Sequence, residues 1–348
     1  IPWKNFFFSS LSVIIKIRGN KAYDHIKKLP DGKVLFANYP SVEVNVMNGN
    51  TAMLEMNIAG VKINTHPITT TESAMMTGHE WRSSYYLSFS STAALQDWDM
   101  VMHYSYGGGS GMDWNYMLNT QTIFRHGCNS YNDPSIIAIL PNASLIFLRN
   151  DVSVSKNIVQ ALYTDEDKAL NDGYLYRGTF PYNYLTYVCR LENVFDKLDG
   201  RANFVLGKNS ADMKFSRFEL DKPARELSLI LDTMLKEKGL LDKNYGYRDG
   251  TVISDTGEII RAFKKGMLIV NTPKSQGFSG FPSEPVKLTD IEFDCKTKFA
   301  TIIISSLDNL PLSSSKKMLL SAVGRSENSR ELKGYKMLVA SLLGDLTV

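Results

Sequence analysis

The order of local patterns predicts an α/β region followed by a β-rich one, and two observations carry that prediction. Over residues 61–150 the patterns run strand, helix, strand, loop, helix, which is the βαβα rhythm of a parallel sheet or barrel. In the last third, short strand-like runs recur between turns at 251–254, 258–263, 267–271, 286–293, 300–305, 317–323 and 335–342, the spacing of an antiparallel sandwich. A chain of 348 residues suits at least two domains. The divisions fall at 1–158 for the α/β part, 159–248 for a connecting α/β region and 249–348 for the β domain.

Taken in order, Lys33 to Ala37 leaves a Pro30-Asp31-Gly32 turn as a strand, and 51–60 reads as a short helix stopped by Gly60. Val61 to Thr71 reads as one strand, with three β-branched threonines at its end. Between Glu80 and Gln96 the apolar positions Trp81, Tyr85, Leu87, Phe89 and Leu95 fit a helix, although many serines interrupt them. Met100 to Tyr106 is then a short buried strand, and Gly107 to Gly111 a loop. Ser135 to Arg149 is a helix that Pro141 should kink or split. Ala224 to Lys238 is an amphipathic helix ended by Gly239.

Composition narrows the function classes. Lys and Arg number 39 against 36 Asp and Glu, a net charge of +3, too balanced to argue for nucleic acid or an anionic membrane. No run reaches the roughly 18 apolar residues of a membrane span. The apolar stretch 5–15 would suit a signal peptide, but the chain starts at Ile1 and no small-residue cleavage site follows, so it reads as mature or truncated sequence. Cys128, Cys189 and Cys295 have no zinc-site spacing, and no metal or organic cofactor is implied. Asn142-Ala143-Ser144 is a formal glycosylation sequon inside a helix-like segment.

Two sets of segments resemble a known family. Ser254-Asp255-Thr256-Gly257-Glu258-Ile259, Gly266 through Gly277 and Leu319 through Asn328 resemble the accessory β-domain that follows the barrel in a group of bacterial clan-A-like glycoside hydrolases. Ala93-Ala94-Leu95-Gln96-Asp97-Trp98-Asp99, with Asn132-Asp133-Pro134 through Val152, resembles the end of that group's barrel. The resemblance implies the C-terminal part of a (β/α)8 (TIM) barrel followed by an antiparallel β-sandwich accessory domain. It also implies a retaining glycosidase acting on a poly- or oligosaccharide, at an extracellular or cell-surface location. In such enzymes the nucleophile ends the seventh barrel strand, and Glu72 in Thr69-Thr70-Thr71-Glu72-Ser73 holds that place. A glutamate ending a β-branched strand also lies where barrel active sites sit, at the C-terminal mouth.

The pattern is incomplete. Retaining glycosidases need two carboxyl groups about 5 Å apart, and the family's acid follows an Asn, yet no Asn-Glu pair occurs in this chain. About 70 residues precede Glu72 where six βα units would need about 180. The acid/base is therefore expected from outside this polypeptide. Other candidates for sugar contact are His103, Tyr104 and Tyr106 at the end of the eighth strand, Trp114 in the next loop, and His66, which would polarise Glu72 or bind substrate. Each also suits a packing role. Two alternatives to the enzyme remain: a noncatalytic carbohydrate-binding or structural protein on the same scaffold, and an assembly subunit that completes the barrel with another chain, which would cover its unpaired strands.

Overall fold

The computed structural model describes residues 26–28, 34–36, 54–73, 82–103, 106, 130, 134–163, 183–195, 197–207, 210, 212–214 and 224–324, with four two-residue strands at 326–327, 331–332, 335–336 and 340–341. The architecture is mixed helix and sheet: parallel strands and helices first, a seven-stranded antiparallel sheet after them.

β1 (Ile26–Lys28) and β2 (Val34–Phe36) form an antiparallel pair, so the strand expected at 33–37 is present. Helix α1 (Leu54–Ala59) follows. The single strand expected over 61–71 is instead two pieces. Ile63 bridges in parallel to Asn193, the backbone turns back with His66 N donating to Ile63 O, and only then does β3 (Thr69–Ser73) begin. Asn64, Thr65 and Pro67 are turn residues, which the β-branched run downstream outweighed in the sequence pattern.

α2 (Ser83–Leu95) is the helix expected over 80–96, and every residue in it is buried. Its serines do not break it because Ser90, Ser91 and Thr92 return their hydroxyls to the carbonyls of Tyr86, Leu87 and Ser88, four residues back. The helix ends with Asp97 in the left-handed region (φ 55°) and Trp98 N donating to Ala93 O, a Schellman-type turn. β4 (Met100–His103) then lies parallel to β3. Beyond it, the helix expected over 135–149 is split in two, as Pro141 suggests: α3 (Pro134–Ile137) and α4 (Leu140–Leu148). Pro141 sits in the first turn of α4, where its missing N–H costs nothing.

β5 (Ile158–Leu162), β6 (Arg190–Val194), β7 (Phe204–Gly207) and β8 (Met213–Lys214) make a parallel sheet in the order β6-β5-β7-β8. One face is apolar: Val159, Ala161, Leu191, Phe204 and Leu206 share a core with Leu231 and Leu235 of α5 (Ala224–Glu237). Gly239, at φ 70°, ends α5 as the sequence suggests.

The antiparallel sheet runs in the order β17-β16-β13-β12-β11-β10-β9. Its strands are β9 (Gly246–Arg248), β10 (Thr251–Ile253), β11 (Ile259–Ala262), β12 (Met267–Asn271), β13 (Ser275–Gly280), β16 (Ala300–Ser306) and β17 (Met318–Gly324), with a small hairpin of β14 (Val286–Lys287) and β15 (Glu292–Phe293) as an excursion. One face, with Ile259, Leu268, Val270, Ile303 and Val323, joins the core of α2 and α4. The other carries Met267, Phe278, Ala300 and Ile302 under Val286 and Phe293 of the hairpin. The expected sandwich is therefore one large sheet between helices and a hairpin. Strand spacing alone does not report what lies across a sheet face.

Candidate functional site

The site is built where β3 and β4 end. Thr70 pairs with Val101, and Ser73 pairs with His103, so β3 spends three residues where β4 spends two. The extra residue is a β-bulge at Thr71 and Glu72 opposite Met102. Bulges re-aim side chains and concentrate at barrel rims and active sites. The strand resumes firmly after it: Ser73 is fully buried, its Oγ donates to Met102 O at 2.9 Å, and its carbonyl accepts from Tyr86 Oη at 3.4 Å.

His103 ends β4 and faces α2, not the opposite side of the strand pair. Its ring meets Tyr86 edge-on at 5.1 Å between centroids, Nδ1 bonds the Tyr86 hydroxyl and Nε2 lies 2.6 Å from Ser130 Oγ. Ser130 is itself fully buried, so this serine–histidine contact is not an exposed nucleophile and base. The other face of β4 is open, with Met100 38% and Met102 47% exposed. Tyr106 is 57% exposed just beyond the strand. His66 is not at this end. It lies in the turn before β3, with Nδ1 3.1 Å from Thr65 Oγ1, at the opposite end of that strand from position 72. Tyr104 and Trp114 lie outside the described residues.

The segments Ala93 to Asp99 and Arg149 to Asp151 have local structural duties. In Ala93 to Asp99, the Gln96 amide donates to Thr186 O and Cys189 O at 2.7 Å each, while its oxygen accepts Leu191 N. Trp98 packs on Phe89, and Asp99 accepts Ile68 N at 2.8 Å, fixing the entry to β3. Arg149 to Asp151 repeats the Schellman-type turn at the end of α4, with Asn150 at φ 51°. Asn142 of the sequon is fully buried, donating to Ser305 and Leu319 and accepting from Ser321, so this side chain is closed to glycosylation in the folded chain.

A second polar concentration, unforeseen in the sequence because its members span 62–201, covers the other face of the β5–β6 sheet. Arg190 pairs with Glu192 and Asp97. Gln160 Nε2 bridges Glu192 and Asp199 at 2.8 and 3.1 Å, and Arg201 contacts both carboxylates. Burial pushes the Asp199 carboxyl up, but hydrogen bonds from Arg201, Gln160 and Asn64 outweigh it and hold the group well below the usual range. Burial, with Arg190 alongside, brings the Lys62 ammonium down to about 8 against the opposing pull of Asp97, Glu192 and Asp99. It donates to Gln96 O and Asp97 O at the C-terminus of α2, a favourable place for a cation. Arg190 and Arg201 pair with Asp97, Glu192 and Asp199 while Lys62 rests on backbone carbonyls, so the cluster reads as a joint: a general acid needs a raised pKa, and Asp199 has the reverse.

The carboxyls that burial does raise, Asp232, Asp255 and Glu258, are each tied to backbone N–H groups: those of Tyr247, Asn157 and Ser153. Among the described residues no group of three or more His, Cys, Asp or Glu is placed to hold a metal ion, and no helix is long and apolar enough to cross a membrane. Comparison of the chain with protein families, with curated proteins and with solved structures finds no match.

Proposed function

We propose that this chain carries the nucleophile of a retaining glycoside hydrolase acting on a poly- or oligosaccharide, that β3 and β4 are the last two strands of a (β/α)8 barrel, and that Glu72 is the nucleophile. The observation that supports it most is the bulge at Thr71 and Glu72 at the C-terminal end of a parallel strand. On this reading Met100 and Met102 face the barrel's interior, while Val101 and His103 face the helices.

The Glu72 carboxylate attacks the anomeric carbon as the glycosidic C–O bond breaks, and an acid gives its proton to the leaving oxygen. Water, deprotonated by the same group, then attacks that carbon and frees Glu72. The acid would come from a strand beside β3 and β4.

Hydrolysis of 2,4-dinitrophenyl glycosides tests the assignment, because this leaving group departs without protonation and does not need the acid. Glu72→Gln is expected to lower kcat on the order of 10³-fold or more; undiminished turnover would remove Glu72 from the mechanism. The absence of an Asn-Glu pair favours a second reading, a noncatalytic carbohydrate-binding protein on the same scaffold. It predicts sugar binding without turnover in the unmodified chain.

A further inference from the structure

We propose that Tyr86 and His103 are positioning residues that hold the bulge bearing Glu72, an inference that rests on reading Glu72 as the nucleophile. A bulge leaves a residue unpaired and interrupts the ladder, so the carboxylate's place depends on how firmly the strand is caught on either side. Before the bulge, β3 is ordinary ladder at Thr69–Met100 and Thr70–Val101. After it, Ser73 is held from three directions: its hydroxyl on Met102 O, its carbonyl under the Tyr86 hydroxyl, and its backbone beside His103.

Tyr86 is the common member. It stands on α2, whose thirteen residues are all buried, so its hydroxyl is presented by a rigid element. The same hydroxyl meets His103 Nδ1, and Ser130 holds the far side of that ring. One consistent proton order runs through the group: Tyr86 donates to the Ser73 carbonyl, His103 donates from Nδ1 to the Tyr86 oxygen, and Ser130 donates to Nε2. Tyr86 thus ties the ends of both strands to one helix. Neither ring needs to touch substrate for its loss to be felt, since a displacement of about 1 Å at a reacting group costs about a hundredfold in rate.

The test uses Tyr86→Phe, which keeps the ring and removes only the hydroxyl, His103→Leu, which removes both ring nitrogens, and His103→Asn, which keeps a polar atom near the Nδ1 position. With 2,4-dinitrophenyl glycosides as probe, Tyr86→Phe and His103→Leu are expected to lower kcat about 10- to 100-fold with KM within about twofold, and His103→Asn to recover most of the loss. Unchanged kcat, or a rise in KM alone, would overturn the proposal. Amide hydrogen exchange over β3 supplies an independent readout, with exchange expected to be about tenfold faster in Tyr86→Phe and His103→Leu. If the unmodified protein hydrolyses none of the probes, the nucleophile reading fails and exchange alone decides the clamp; exchange unchanged in both variants would refute it.

Discussion

The seven-stranded sheet keeps an unbroken antiparallel register from β9 to β17, whereas β3 and β4 pair in parallel, slip by one residue and leave methionines exposed. Local hairpins satisfy the large sheet, and both of its faces are covered, by α2 and α4 on one side and by β14 and β15 on the other. Parallel sheets are normally covered on both faces, and among the described residues the β3–β4 pair is covered on one. The difference separates the part of the molecule that is complete in itself from the part that has a face to offer, and Glu72 lies on the second.

α2 joins the two parts, so the largest effects are expected where it meets the sheet. Arg261 of β11 is buried, donates to Ser88 and Thr92, and stacks 3.9 Å from the Tyr187 ring centroid, while buried Glu55 accepts from Ser88 and Tyr187. Arg261→Leu removes a buried cation that donates to two hydroxyls and stacks on Tyr187, and should cost about 2–4 kcal/mol in urea unfolding. Adding Glu55→Leu should recover part of that loss. If the double variant is as unstable as the sum of the singles, the two residues are not coupled.

Within the sheet, a Cβ on Gly277 would meet Ile302 O at 2.2 Å and Ile303 Cα at 2.6 Å. Gly277→Ala should therefore destabilise by about 1–3 kcal/mol, and a neutral result would mean that β13 and β16 are farther apart than the structure has them.

Lys62, at the joint between the parallel sheet and α2, gives a pH signature. Its pKa falls from an ordinary 10.5 to about 8 on folding, so between those values the unfolded chain holds the proton and the folded chain does not. Stability from this group therefore rises as pH goes from about 8 to about 10.5, by on the order of 3 kcal/mol at most. Unfolding free energies measured across that window should lose this rise in Lys62→Met. The same slope in the variant would assign it to another group.

The smallest effect is expected on the open face. Met100→Lys and Met102→Lys should each change stability by no more than about 0.5 kcal/mol if that face meets only water. A loss of several kcal/mol would mean that the face is covered, as a barrel closed over these methionines would cover it.

Much of this division was legible beforehand, for identifiable reasons. Strands β10, β11, β12, β16 and β17 carry enough β-branched and aliphatic residues between turns to stand out. β13 did not, because Ser275-Gln276-Gly277-Phe278-Ser279-Gly280 buries hydroxyls, an amide and a closely approached glycine where a strand usually buries hydrocarbon. Ser275, Ser279, Thr301, Ser305 and Ser321 bond one another, Asn142 and Asp151 beneath the helices, and such pairing is invisible in a one-dimensional pattern. In the first parallel pair, the strand around position 72 was legible from its β-branched run, but the bulge was not, since the slip depends on Met102 and His103 thirty residues away. His66 was read as part of the strand because the turn at Asn64 to Pro67 interrupts what looks like continuous strand.

The most direct measurement of the central claim is covalent trapping. Incubation with 2,4-dinitrophenyl 2-deoxy-2-fluoro glycosides slows release of the glycosyl–enzyme intermediate, and mass mapping of the digested protein then locates the adduct. The account predicts one fluorosugar on the peptide that contains Glu72, absent in Glu72→Gln; an adduct on any other carboxylate would contradict it.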